Sequence, residues 1–328
     1  MKVSVIIPVY NAEQFLTDAI ASALNQEETA EIILVEDGSP DDSLAICEHF
    51  AERHPHIRLL RHPDGRNHGA SASRNLGIRH ARYPYLAFLD ADDMYVENRF
   101  KGAAHVFAHY ADADGVHESI GVQYYDEEMR EMHISRIGRE ITGVVKFIHP
   151  GQLFRTLATG KFGHVSLDGV VLKREALDET LMFDPDLTQC EDTDLMLRLA
   201  ASRTLYSGDL TRVVALRGVH RDNRVFDSEE SNEFKRRYLR KCIEHRFYGS
   251  RDAAANFYIV ARYVASTHFF RPFARIGGLA QIARLLLVSG FLILHPGVLV
   301  HLLRGALRGP PRLAPIEMAP LHLEQTAR

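Results

Sequence analysis

Four short apolar runs, each ending in a polar or acidic cluster, constrain this chain more than any other feature. They are "VSVIIPVY" from Val3, "EIILVEDGS" from Glu31, "IRLLRH" from Ile57 and "YLAFLD" from Tyr85. They are rich in Val, Ile, Leu and Phe and lack strict polar alternation, so these strands are expected to be covered on both faces, as in a parallel sheet. Between them lie stretches of helical period: residues 13–24, marked by Phe15, Leu16, Ala19, Ile20 and Ala23, then Asp41 to Arg53, then about Ala70 to His80. Strands alternating with such helices predict an α/β fold, a mainly parallel, Rossmann-like sheet flanked by helices. Ligands of such sheets bind beyond the carboxyl ends of the strands.

The polar clusters fall at those ends. Tyr10 and Asn11 follow the first run, Asp37 to Ser39 the second, Asp64 to Gly69 the third and Asp90 to Asp93 the fourth. Any one of them reads equally well as a turn or a helix cap. Four at one edge point to a shared cleft. Asp90, Asp92 and Asp93 lie within four positions and raise one another's pKa, a cost that a cation or a set of donors must offset.

The 328 residues, 46% hydrophobic and 25% charged, suit a folded protein of one large domain with an appendage. Cys47, Cys190 and Cys242 are too far apart for a metal knuckle, and an odd number of dispersed cysteines points to a reducing compartment. The apolar run before Pro8 is too short for a signal-peptide core, so a cytoplasmic location is expected. Charge divides the chain unevenly: residues 1–234 hold 24 Lys+Arg against 39 Asp+Glu, and residues 235–312 hold 14 against 2. An acidic body followed by a basic block implies separate partners for the two parts.

In order and spacing, "VSVIIPVYNAE", "VEDGSPDDS", "NHGASASRNLGI", "FLDADD" and "CEDTDLMLRL" resemble the family 2 inverting glycosyltransferases, nucleotide-diphospho-sugar transferases of the GT-A fold. The resemblance covers about residues 1–222. It implies a nucleotide-sugar donor, a saccharide or lipid-linked acceptor, a divalent cofactor (Mn²⁺ or Mg²⁺) and no nucleic-acid partner. Carried over to this chain, Asp92 is the metal ligand, joined by His220 in "LRGVHRDNRV", and Asp90 with Ala91 lies on the nucleotide side. Asp93 either shares the metal or is structural, capping a helix starting near Glu97 or bonding loop amides. The nucleotide pocket would be lined by Pro8, Val9, Tyr10, Asn11, Glu13, Asn67 and Gly69, with Asp37 accepting the imide N–H of uracil and Arg74 reaching the nucleotide. Many members read "DDGS" where this chain has Glu36, a change that leaves Asp37 in place. Arg217 and Arg221 are alternative phosphate ligands beside His220.

Inverting transfer needs a base within reach of the acceptor hydroxyl. The resemblance gives that role to Asp192, with Glu191 orienting the acceptor, although acids at this position also suit a helix N-terminus, as Asp194 does. The Q-x-x-R-W pattern of processive synthases is absent and the chain has no tryptophan, which favours one transfer per encounter. A sugar-1-phosphate nucleotidyltransferase would carry a glycine-rich basic loop where this chain reads "PVYNAEQ". A non-catalytic nucleotide-sugar-binding protein would not need both Asp92 and Asp192.

Residues 1–114 thus form a nucleotide-sugar-binding half and 115–226 an acceptor-binding and catalytic half. In the latter, "GVQYYDEEM" and "EMHISRI" read as strands, and the Gly-rich centre of "HPGQLFRTLATGKFGHVSLDGVVLKRE" as a mobile loop over the cleft. Residues 227–310 read as a basic helical region. The uncharged stretch 285–303 is broken at His295 to Gly297, so two short amphipathic helices are expected rather than one spanning helix. With Arg262, Arg271, Arg275, Arg284, Arg304, Arg308 and Arg312 around them, they suit an anionic membrane surface at the inner face of the cell membrane, or a hairpin packed on the body or on a homodimer partner. Residues 311–328 read as a loose proline-rich tail.

Overall fold

The computed structural model describes residues 1–138, 140–141, 143–144, 146–160, 163–221, 228–266, 288–289, 291–293 and 295–308. The four apolar runs form β1 (Val3–Val9), β2 (Thr29–Glu36), β3 (Ile57–Arg61) and β4 (Tyr85–Phe88). They are linked by α1 (Leu16–Leu24), α2 (Ser43–Arg53) and α3 (Gly69–His80). After β4 come β5 (Met94–Tyr95), α4 (Lys101–His109), β6 (Gly115–His117) and β7 (Gly121–Tyr124). Next are α5 (Glu127–Ile137), α6 (Pro150–Thr159), β8 (Val170–Lys173), α7 (Glu191–Ser202), β9 (Leu205–Ser207) and β10 (Ala215–Val219). Three further helices follow, α8 (Ser228–Glu244), α9 (Ala253–Ser266) and α10 (Pro296–Arg308).

The large sheet has the order β3-β2-β1-β4-β8-β6-β9. Its first four strands are mutually parallel, β8 runs antiparallel to β4 and β6, and β9 is parallel to β6. The chain leaves β1 toward β2 and β3, then returns to β1's other side with β4, so a topological switch point opens between β1 and β4. A second sheet, β5-β10-β7, stands beside it.

The missing polar alternation has its cause in two apolar layers. Ile32 and Leu34 of β2 pack with Leu16, Ile20 and Phe100 in one core, while Ile33 and Val35 pack with Ile78, Leu195 and Leu199 in the other. Helix α3 lies so close to β1 that a Cβ on Gly77 would come 2.5 Å from Cγ2 of Ile6. A third core joins Phe154 and Ala158 of α6 and Leu197 of α7 to Phe234, Leu239, Ile259, Val260 and Leu302. The basic helices therefore share a core with the acidic body across position 227.

One expectation is corrected. "EMHISRI" is helical, within α5: the Asp126 side chain accepts from the Met129 amide at 2.8 Å, Glu127 and Glu128 sit in the first turn, and Gly138 closes the helix at φ 76°. That capping chemistry outweighs the apolar alternation. The stretch from His149 to Glu175 supplies α6 and the internal strand β8 on either side of its Gly-rich centre, where Lys161 and Phe162 lie outside the described residues. The break near His295 is present, since α10 starts at Pro296, whose ring suits the first helical position. Among the described residues no helix is long and apolar enough to cross a membrane. Arg271, Arg275, Arg284, Arg312 and the tail 311–328 lie outside the described residues.

Candidate active site

The carboxyl ends of β1, β2 and β4 meet the amino ends of α3 and α7 at the switch point. On the β2 side, Asp37 is buried and its two oxygens accept from the His68 and Gly69 amides, each at 2.8 Å. It thereby caps α3 from another strand. His62 lies 3.5 Å from the same carboxylate, 4.3 Å from the His68 ring and 3.2 Å from Ser73 Oγ. Gly38 is left-handed at φ 73°, and a Cβ there would meet the 65–67 backbone at 2.9 to 3.0 Å, so the exposed Asn67 loop folds down over it.

Beyond β1, with Pro8 half-buried and Val9 buried, Tyr10 presents a 49% exposed ring to the cleft edge. Asn11 adopts a left-handed φ of 51°, and its amide donates to Ser39 Oγ at 3.3 Å. Glu13 turns away from the pocket: its carboxylate accepts from the Asp42 amide, and its own amide donates to Asp41, both at 3.0 Å. This clasp fixes the β1 and β2 loops together.

At the end of β4 the acid triplet splits. Asp90 pairs with Arg74 Nη2 at 2.5 Å, and its amide donates to Asp168 Oδ1 at 3.1 Å, while Ala91 is buried. Asp92 meets His220 Nε2 at 3.1 Å, and the His220 ring stacks on Phe15 at 4.5 Å with Tyr125 edge-on at 6.3 Å. Asp93 is buried and accepts from the Gly218 amide at 2.8 Å, so it anchors the triplet to β10 and caps no helix. Asp90, Asp93 and Asp168 offer oxygens that all lie within 4.8 Å of one another. Burial, with Asp90 beside it, pushes the Asp168 carboxyl up to about 6. Burial, with Asp168, Asp92 and Asp90 nearby, also raises Asp93 well above the usual carboxylate range. The guanidinium of Arg217 feels the same cluster, whose acids outweigh burial and raise its pKa. Arg221 instead faces outward to Glu128 at 2.6 Å.

Across the cleft, α7 begins with Glu191 and Asp192. The preceding Cys190 is left-handed at φ 62°, a strained setting for a residue with a side chain, and such strain clusters at functional sites. Arg74 spans the cleft: Nη1 donates to Glu191 at 2.8 Å while Nη2 holds Asp90, so one buried guanidinium ties the β4 acids to the mouth of α7. Burial raises the Glu191 carboxyl against the pull of Arg74. Asp192 is half-buried and accepts from the Thr193 amide at 2.6 Å. Asp194 points the other way, to Arg198 at 2.7 Å and to the Tyr248 hydroxyl at 2.8 Å, and is structural.

The geometry thus gathers Tyr10, Asn11, Asp37, Gly69, Arg74, Asp90, Asp92, His220, Glu191 and Asp192 around one cleft and leaves Glu13 and Arg221 to other contacts. Asp168 was not anticipated. Its signal was present in "VSLDGVVL", a carboxylate lodged in an apolar run, here just before a strand rather than after one.

Comparison with known proteins agrees in fold and in sequence. The family described as Glycosyl transferase family 2 matches residues 4–180. The minor teichoic acid biosynthesis protein GgaA of Bacillus subtilis (strain 168) is 30% identical over 210 residues, 62% of this chain and 44% of that protein. GgaB of the same organism is 40% identical over 107 residues, 32% of this chain and 12% of that protein. The uncharacterized glycosyltransferase YibD of Escherichia coli (strain K12) is 48% identical over 93 residues, 28% of this chain and 26% of that protein. The chain spans less than half the length of each of these curated relatives. Among solved structures, S. aureus TarS 1–349 in complex with UDP-GlcNAc superposes with a TM-score of 0.59 at 20% identity, over 85% of this chain and 75% of that one, a likeness of fold.

Proposed function

Because the chain belongs to glycosyl transferase family 2, we propose that it moves one sugar from a nucleotide-diphospho-sugar, UDP-linked, to an acceptor hydroxyl in cell-surface polymer or glycolipid synthesis, with inversion at the anomeric carbon. The observation that carries this reading is the double ion pair of Arg74, which joins the acids of the donor side to the helix that bears Glu191 and Asp192. The names of GgaA and GgaB support the polymer class.

The crowded oxygens of Asp90, Asp93 and Asp168 fit a hard divalent cation, Mn²⁺ or Mg²⁺, carry more negative charge than Arg74 and Arg217 can neutralise, and have the Asp92–His220 pair beside them. Asp92 and His220, with Asp90, would hold it from the cleft, while Asp93 and Asp168 lie buried beneath. Bound there, the ion supplies positive charge to the departing diphosphate. Asp37 Oδ2, which accepts the Gly69 amide, has a second lone pair for the imide N–H of uracil. The Tyr10 ring is exposed where the base would stack. Asp192, at the amino end of α7 and engaged only locally by Thr193, takes the proton of the attacking hydroxyl. Glu191, tied to Arg74, sets its position.

The test is a calorimetric titration of the full chain with UDP, with and without Mn²⁺, beside a transfer assay on a panel of nucleotide-sugars. Cation-dependent binding that disappears in Asp92→Ala is expected. Asp192→Asn should bind donor normally and lose about 10²- to 10⁴-fold in turnover. UDP binding indifferent to Mn²⁺, or full turnover in the Asp192 variant, contradicts the assignment.

A further inference from the structure

The outward face of α10 is the anomaly of the surface. Helix α8 obeys the usual rule: it buries Phe234, Tyr238, Leu239 and Cys242 and shows Glu233, Lys235, Arg237, Arg240 and Glu244 to solvent. Helix α10 and the residues before it bury Val288, Leu292 and Leu302. Yet Ile293, Pro296, Gly297, Val300 and Leu303, spaced three to four apart, form an exposed stripe with no charged member. Ile293 is 74% exposed, Leu303 54% and Val300 45%. Over its described side chains this segment is apolar on both faces, seated in a core on one side and requiring a cover on the other.

Cationic groups sit beside the stripe. A cavity of about 450 Å³ at its foot is lined by Arg240, Glu244, Arg246, Tyr263, Phe291 and His295, with Arg240 paired to Glu244 at 2.7 Å, and a second of about 320 Å³ lies between Arg246, Pro296, Gly297, Val300 and His301. Arg246 borders both and is placed there by unusual backbone. Arg246, Phe247 and Tyr248 are consecutive left-handed residues at φ 50°, 57° and 53°, a conformation that costs about 1–2 kcal/mol per residue. It is held because Phe247 is fully buried and the Tyr248 hydroxyl donates to Asp194 of α7.

We propose that this face docks on an anionic lipid bilayer, with Ile293, Val300 and Leu303 inserted among the acyl chains and Arg246 holding headgroup phosphates, Arg240 standing beside it in its ion pair with Glu244. Charge complementarity selects that occupant, since residues 235–312 carry 14 Lys+Arg against 2 Asp+Glu while the preceding body is acidic. A surface of apolar side chains edged by arginines is the composition of an interfacial helix. Docking there would set the orientation of α7, and so of the cleft, relative to the lipid through the Tyr248–Asp194 bond. The inference is independent of the catalytic reading.

The experiment is flotation of the full chain with vesicles of phosphatidylcholine alone and of phosphatidylcholine with phosphatidylglycerol. Wild type should float with the anionic vesicles only and release in about 0.5 M salt. Val300→Glu with Leu303→Glu should weaken binding at least about tenfold, and Arg240→Glu with Arg246→Glu should erase the preference for phosphatidylglycerol. The milder Val300→Ser with Leu303→Ser serves if the first pair misfolds, with UDP affinity and thermal midpoint as the check that the cleft is intact. Wild type that stays at the bottom of the gradient, or binding indifferent to both double variants, overturns the proposal. So does a dimer in light scattering that Val300→Glu with Leu303→Glu dissolves, which would assign the face to a second copy of the chain.

Discussion

Beneath the large sheet and at its edge, the protein buries acids in two opposite ways. In the interior, Arg99 and Glu118 are both fully buried and matched one to one at 2.9 Å. The other donors of Arg99 reach the Asp168 and Val170 carbonyls at 3.0 and 3.3 Å, and Glu118 also accepts from the Asp209 amide at 3.1 Å. A short distance along the chain, the carboxylates of Asp90, Asp93 and Asp168 crowd together, with Asp92 next to them in sequence and paired to His220, while the ion pairs of Arg74 are divided between Asp90 and Glu191. Asp168 belongs to both regions, its carbonyl in the matched set and its carboxylate in the crowded one. Matched charge is scaffold. Acid in excess of its donors is stability surrendered for a ligand that neutralises it.

Three experiments would break or sharpen that contrast. The largest effect is expected from Arg99→Met, which strands Glu118 without its ion-pair partner and should cost about 3–5 kcal/mol in urea unfolding. Adding Glu118→Gln should return part of it. A loss below about 1 kcal/mol would remove the matched pair from the scaffold.

His117, next to Glu118 and equally buried, shows a third treatment, a titratable group kept neutral. Its ring lies 3.3 Å from Ser207 Oγ, and burial pushes its pKa down to about 4. The folded value lies below the unfolded one of about 6.5, so the unfolded chain binds more protons, and stability present above pH 6.5 is lost as pH falls toward about 4. The slope should amount to something on the order of 3 kcal/mol and should flatten in His117→Gln. Parallel curves of urea midpoint against pH for the two proteins would refute it.

The smallest effect carries the opposite sign. Asp168→Asn keeps the acceptor for the Asp90 amide and removes one charge from the crowded site, so the cation-free protein should gain about 1 kcal/mol. It should also gain less from added Mn²⁺ than wild type does. Destabilisation of the cation-free variant would show that the four carboxylates are not in excess.

Much of this was legible before any coordinates. The four strands and three helices of the first 88 residues follow from apolar runs and helical periods, because both signals are local and both layers of cover are helical. Asp37, Asp90 and Asp92 could be named because each follows a strand whose end is visible in the sequence, and Arg74, Glu191 and Asp192 because the resemblance to family 2 glycosyltransferases gives them roles. The second half was harder. Helix α5 is written in its caps rather than in its apolar spacing, and β8 is a four-residue strand whose place between β4 and β6 depends on pairing with segments far away in sequence.

What the sequence determined by itself is the alternating layered fold and the edge at which its polar residues gather, since strand burial and helix period are properties of neighbouring residues. Tertiary structure alone decided the partners: that Arg74 would clamp Asp90 to Glu191, that Asp93 would be spent on the Gly218 amide, and that Asp168 would complete the acid cluster from 75 or more positions away. It also decided that α10 would bury one apolar face against α9 and leave the other bare. Pairing of this kind depends on where distant segments come to rest, and no local pattern of hydrophobicity or charge encodes it.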